Sequence, residues 1–174
     1  MPTTQPIAQI GHPILRSLAQ PIEDILSSEV QQLIDDMMQT VEKAGGVGIA
    51  APQIYQNKRL FIMCSKPNAR YPKAPHMVPT AMINPKIISH TKEQEKGWEG
   101  CLSVPNLRGL VPRYTQIEIS YFDRNGQKVQ TIYNDFLARV FQHELDHLDG
   151  ITFVDRISSS KDLISETQWY QQYA

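Results

Sequence analysis

The chain has 174 residues, a formal net charge of −1 and a pI near 6.5, which provides for one domain with a substantial core and is short for two. No run of Lys or Arg forms a basic stripe, which argues against nucleic acid or an anionic membrane as partner, and no segment approaches the ~20 apolar residues that span a bilayer. The N-terminus lacks a charged region followed by an apolar run, and two cysteines, Cys64 and Cys101, are too few for a disulfide scaffold, so a cytoplasmic protein is expected.

Residues 5–22, with Gly11-His12-Pro13 and Pro21, read as an irregular arm that wraps the domain. From Ser28, read as an N-cap, Val30, Leu33, Ile34, Met37, Met38 and Val41 recur at helical spacing, and the helix ends before Gly45-Gly46. Gly45 to Gln53 is rich in glycine and alanine, which leaves the backbone open to close approach. It has neither the Lys-Ser/Thr of a phosphate loop nor the spacing of a dinucleotide site. What remains is a helix-ending turn or a strand edge that pairs with an extended ligand, with Gln53 as an amide donor.

Arg59 to Cys64 is a buried strand, and Cys64 reads as a small core residue. Residues 65–80, with four prolines, form a surface loop. A strand runs from Ala81 to Ser89, where Asn84-Pro85 marks a sheet edge or a bulge. Glu99 to Pro105 reads as an exposed turn in which Cys101 is either a thiolate stabilised by a metal or an inert core cysteine. Gln116 to Phe122 and Lys128 to Tyr133 alternate about the turn Asp123-Arg124-Asn125-Gly126, giving a β-hairpin. A helix capped by Asn134 or Asp135 comes next and stops at Gly150. Beyond it, Ser158-Ser159-Ser160 breaks a polar tail, with loose order or a short helix over Lys161 to Tyr170. The fold class expected is α+β: mostly antiparallel sheets around a central helix, with a second, N-terminal helix.

That central helix carries His143-Glu144-Leu145-Asp146-His147. Histidines four apart project from one helix face and can grip one ion. Glu144 lies about 100° round the helix, where it borders the ion without ligating it and can act as a general base. A third ligand has to come from elsewhere in the chain.

Three stretches, Gly46 to Gln53, Glu99 to Ser103 and Gln142 to Gly150, stand in order and resemble the signature motifs of the peptide deformylases. Ile10 to Arg16 and Ile83-Asn84-Pro85 are similar to that family too. The resemblance implies that Cys101 joins His143 and His147 as the third ligand and leaves one tetrahedral position for water. The thiolate and an ionised Glu144 then balance a divalent cation: Fe(II) in the cell, with Zn, Ni or Co accepted, since the ligand types do not single out iron.

The implied reaction is hydrolysis of the N-formyl group from the initiator methionine of new polypeptides, met near the ribosome by a monomeric enzyme. Glu144 handles the proton, while Gln53 and the Leu102 N–H stabilise the oxyanion. Val47, Gly48 and Gly100 pair with the peptide backbone, Arg108 holds the peptide beyond the methionine, and Val47, Trp98, Phe136 and Val140 form the methionine pocket. Arg139 stands where some members carry an aliphatic residue, and its stem can lie on apolar surface with its charge in solvent.

Two rival readings have sequence features against them. A zinc protease takes its third ligand downstream, where no histidine follows His147 and Glu166 is the one glutamate. A closed structural zinc site uses four Cys or His ligands, one more than this chain supplies in the pattern.

Overall fold

The computed structural model describes residues 1–173. A five-stranded antiparallel sheet, in the order β1-β2-β3-β6-β7, separates two helices (β1 Gly48–Ala50, β2 Leu60–Met63, β3 Thr80–His90, β6 Gln116–Phe122, β7 Lys128–Asn134). Alternation along the strands decides which side chain meets which helix. Leu60, Ile62, Ala81 and Ile83 pack with Val30, Leu33, Ile34 and Met37 of α1 (Ser28–Lys43). Phe61, Met63 and Met82 point the other way, to Ala138 and Phe141 of α2 (Asp135–Leu148). The Phe61 and Phe141 rings meet edge to face at 5.2 Å, an arrangement aromatic pairs favour. A strand buried on both faces has no polar alternation, which is why Leu60–Met63 reads as one apolar run.

A second sheet, in the order β4-β5-β8 (β4 Gln94–Cys101, β5 Val104–Tyr114, β8 Leu163–Ser165), covers the far side of α2. The metal-motif helix is therefore enclosed between two sheets, as the α+β expectation requires. Small apolar contacts of Val104, Val111 and Phe153, the last on α3 (Phe153–Arg156), seal this layer.

Several local expectations need correction. The cap of α1 is Ser27, whose hydroxyl accepts from Val30 N–H. Of the edge or bulge expected at Asn84-Pro85, the bulge is what forms, and it lies in a central strand: the β3–β6 register shifts between Ile83 and Lys86, and Asn84 adopts φ 49°. Its amide holds both the N–H and the C=O of Ile22, which anchors the N-terminal arm. Residues 94–114 form a long hairpin, where the sequence leads one to expect only a turn around Cys101. Its prolines and charges mask strand character in the sequence, and sheet pairing overrides them. The tail is ordered differently from the expected helix over 161–170: β8 pairs with Leu107–Gly109 of β5, and α4 (Glu166–Tyr173) comes after it.

The N-terminal arm laces the site elements together. Ala8 N–H donates to Gln53 C=O, Ile10 N–H to Ser103 C=O, and Ala19 N–H to Leu148 C=O at the end of α2. The last bond satisfies a carbonyl that a helix C-terminus otherwise leaves free. Directly after α2, Gly150 has φ 72°, and a Cβ there would stand 2.7 Å from the Arg16 backbone. Gly126 shares the positive φ, at 77°, but has open space around it. Gly126→Ala should therefore cost about 1 kcal/mol from backbone strain alone, and Gly150→Ala about 1–3 kcal/mol more, as read by urea denaturation. Equal losses would show that the arm yields freely at Arg16.

Candidate metal centre and active site

Helix α2 brings His143 and His147 to one face, their ring centroids 5.1 Å apart. Cys101 ends β4 and sends its sulfur to 3.3 Å from His147 Nε2. The donor atoms of Cys101, His143 and His147 all lie within 4.8 Å of one another. A tetrahedral ion bound at about 2.0–2.3 Å needs donors about 3.5 Å apart, so these three residues suit a divalent cation. Cys101 is buried at the end of β4, where the sequence points to an exposed turn. Burial opposes its ionisation, yet His147 and His143 hold the thiol well below its usual range. Ser103 N–H and Gln53 Nε2 add hydrogen bonds to the sulfur, at 3.4 and 3.5 Å.

Each positioning contact has a local cause. Gln142 grips both the N–H and the C=O of Tyr114, which pins α2 to the end of β5. Glu99, two residues before Cys101 and so on the same face of β4, accepts from His143 Nδ1 at 2.9 Å and leaves Nε2 for the ligand cluster. Arg113 binds Glu99 through two nitrogens, at 2.9 and 3.0 Å, and reaches Asp146 at 2.6 Å. Burial alone would raise the Glu99 pKa, but Arg113 and His143 hold it far below the ordinary carboxylate range. Such a carboxylate behind a ligand histidine fixes both tautomer and ring plane.

Arg139 departs from expectation. Its guanidinium turns inward to Glu99 Oε1 at 3.0 Å and to the carbonyls of Val111 and Glu95, so β4 and β5 are clasped by a charge expected in solvent. Carbonyls and a carboxylate together outcompete hydration there.

Beside the cluster lies a narrow cleft. Gly48 and Val47 line one wall, Trp98, Gly100 and Leu102 another, and Phe136 with Val140 the floor. Both β1 and β4 are edge strands, so this cleft runs between two sheet edges. Glu144 points into it, and Glu144 Oε2 is buried without a hydrogen-bond partner. Burial pushes its pKa up to about 7, partly offset by His143 and His147. Gln53 accepts Ala50 N–H through Oε1, which fixes its Nε2 toward Cys101 and the Ser103 hydroxyl.

Two expected site residues do not line the cleft: His147, which is buried and reaches the site through its contact with Cys101, and Arg108, which is wholly buried beside Gly100. Two residues escape the sequence reading. Arg70 and Tyr71 belong to the supposed surface loop, yet both line the cleft, and the Tyr71 hydroxyl accepts Gly100 N–H at 3.2 Å. Nothing local in 65–80 marks them, whereas Glu99 is visible from its spacing to Cys101 once that stretch is a strand. Glu99→Gln is expected to weaken metal affinity about 10- to 100-fold, read by titration against a competing chelator. Unchanged affinity would mean that the contact with His143 is not used.

The chain matches the family model described as polypeptide deformylase over residues 4–163. It is 55% identical to peptide deformylase 2 of Nostoc sp. over 98% of this chain and 95% of that one. With peptide deformylase 1 of Bordetella pertussis it shares 48% identity, covering 87% and 86% of the two chains. Among solved structures, the Met-Ala-Ser-bound class I type b peptide deformylase of Acinetobacter baumannii superposes with a TM-score of 0.87 at 45% identity, over 90% of this chain and 100% of that one. Identity at this level along nearly the whole length, on the same fold, makes this chain a member of the polypeptide deformylase family and therefore an enzyme.

Proposed function

We propose that this chain takes the N-formyl group from the initiator formylmethionine of new polypeptides, with ion binding, proton transfer and oxyanion stabilisation divided among separate residues. Cys101, His143 and His147 would hold one divalent ion, which supplies Lewis-acid polarisation and acidifies water. Glu144 accepts the proton as the water oxygen adds to the formyl carbon. The same carboxyl returns a proton to the departing nitrogen as the C–N bond breaks, giving formate and a free α-amine. Gln53 Nε2 and the Leu102 N–H donate to the carbonyl oxygen as it gains charge, each worth about 2.7–4 kcal/mol in the transition state. Its bond to Ala50 keeps the Gln53 amide from rotating away.

The observation that carries this reading is the position of Glu144, which lines a cleft between two strand edges beside the Cys101–His143–His147 cluster and keeps one buried oxygen without a partner. An extended peptide can add to Val47, Gly48 and Gly100 as a strand, displacing the Tyr71 hydroxyl from Gly100 N–H. Trp98, Phe136, Val140 and the Val47 side chain then surround the methionine, and Arg108 holds the residues beyond it. The enzyme is proposed to work in the cytosol near the ribosome as a single-domain monomer, with Fe(II) in the cell and Zn, Ni or Co as substitutes. No helix of the described residues is long and apolar enough to cross a membrane.

Prepared without oxygen and loaded with Fe(II) or Ni(II), the protein should release formate from formyl-Met-Ala-Ser and leave internal peptide bonds intact. A fully metallated protein that releases none would refute the proposal. Glu144→Gln should retain the metal and lose about 10²–10⁴-fold in kcat. A Cβ at Gly48 would stand 2.5 Å from Glu144 Oε1. Gly48→Ala should therefore also keep its metal while kcat falls about 10²-fold through displacement of the base; formate release and metal content measured together check both variants.

A further inference from the structure

Arg108 is the largest fully buried side chain, and its Nε and Nη1 have no hydrogen-bond partner. A buried guanidinium with two unused donors is costly. The end of the chain covers it. Glu166 of α4 accepts from Arg108 Nη2 at 3.3 Å, and the Trp169 ring lies 3.9 Å from the guanidinium carbon. Glu166 is shared, since Arg70 Nε approaches the same oxygen at 3.7 Å. On its other side Arg108 faces the Tyr71 ring at 5.5 Å, and Tyr71 lines the cleft. Farther along α4, Tyr173 meets Trp98, another cleft residue, at 5.3 Å.

The tail thus touches two cleft residues, Arg70 and Trp98, and is linked to a third, Tyr71, through the buried Arg108. Residues 164–174 also lie beyond the span matched by the family model. We propose that the C-terminal segment Leu163–Tyr173 competes with the peptide for Arg108 and so sets how strongly the enzyme selects substrates by the residues after the methionine. The inference rests on Arg108 as the group that holds the peptide beyond the methionine.

The physical argument is one of exchange. Glu166 and Trp169 satisfy the charge of Arg108 with a single hydrogen bond and a cation–π contact. An extended peptide offers carbonyl oxygens to the two donors that α4 leaves unused, and it must part Tyr71 and α4 from Arg108 to reach them. Apparent affinity for a longer peptide is reduced by the fraction of molecules whose tail is in place. A substrate that ends at the methionine makes no use of Arg108 and is indifferent to the tail.

The test uses the metallated full-length enzyme and two substrates, formyl-Met-Ala-Ser and N-formylmethionine amide, with formate release as the readout. Glu166→Gln and Trp169→Ala should each lower KM for the tripeptide about three- to tenfold with kcat unchanged, and leave both constants for the amide as in the parent. Variants of parental circular dichroism and metal content whose tripeptide-to-amide KM ratio stays within about twofold of the parent's, or rises, overturn the proposal. Should Trp169→Ala not fold, Glu166→Gln decides alone, because it keeps side-chain size and removes only the charge. A parent enzyme inactive on both substrates would instead count against the reaction assigned above.

Discussion

Glu99 is a buried carboxylate, and a buried carboxylate has to be paired. Its two oxygens are taken by Arg113, Arg139 and His143, and Arg113 carries the connection on to Asp146 of α2. Breaking such a group from one side leaves an uncompensated charge, at about 3–5 kcal/mol. The network therefore locks β4, β5 and α2 into one arrangement. That is the arrangement in which Cys101, two residues from Glu99, faces histidines on the helix. Charge pairing and the geometry of the candidate metal site are the same constraint here.

The two sheets do the rest. One presents β1 and the other β4 as free edges to the same cleft, with α2 as floor. A strand edge normally invites unwanted pairing. In this protein both edges face inward across a narrow space, with glycines at 48 and 100, where the proposed peptide strand would come near. The arm tightens this by bonding the carbonyls of Gln53, Ser103 and Leu148, one from each part of the site. The candidate site thus draws on parts of the chain that the fold, rather than the sequence order, makes adjacent.

Much of this is legible from sequence, and the exceptions share a cause. His143, Glu144 and His147 are read from spacing because helical periodicity converts sequence distance directly into geometry. The 116–134 hairpin is read from alternation and its turn. By contrast, the 94–114 hairpin carries Pro105, Gly109 and Pro112 and shows in the sequence only as a turn over Glu99 to Pro105, since pairing across the sheet outweighs local preference. Tyr71 and Arg70 have no periodic signature at all; a loop of prolines is folded over the cleft by contacts far away in sequence. Arg139 would keep the general habit of arginines and stay in water, but three carbonyls and Glu99 give its charge a better place.

By itself the sequence determined the two main helices, the His143, Glu144 and His147 pattern on one of them, and through the ordered trio of motifs the family and its reaction. These are local patterns, in which a few residues dictate their own geometry. Only the tertiary structure decided that Cys101 is buried against His147, that Glu99 orients His143, and that Arg108 is sealed beneath Glu166 and Trp169 instead of lining the cleft. Each of those depends on which strand pairs with which and where the tail docks. Pairings of that kind are chosen by the balance of burial and charge over the whole chain, and no single stretch encodes them.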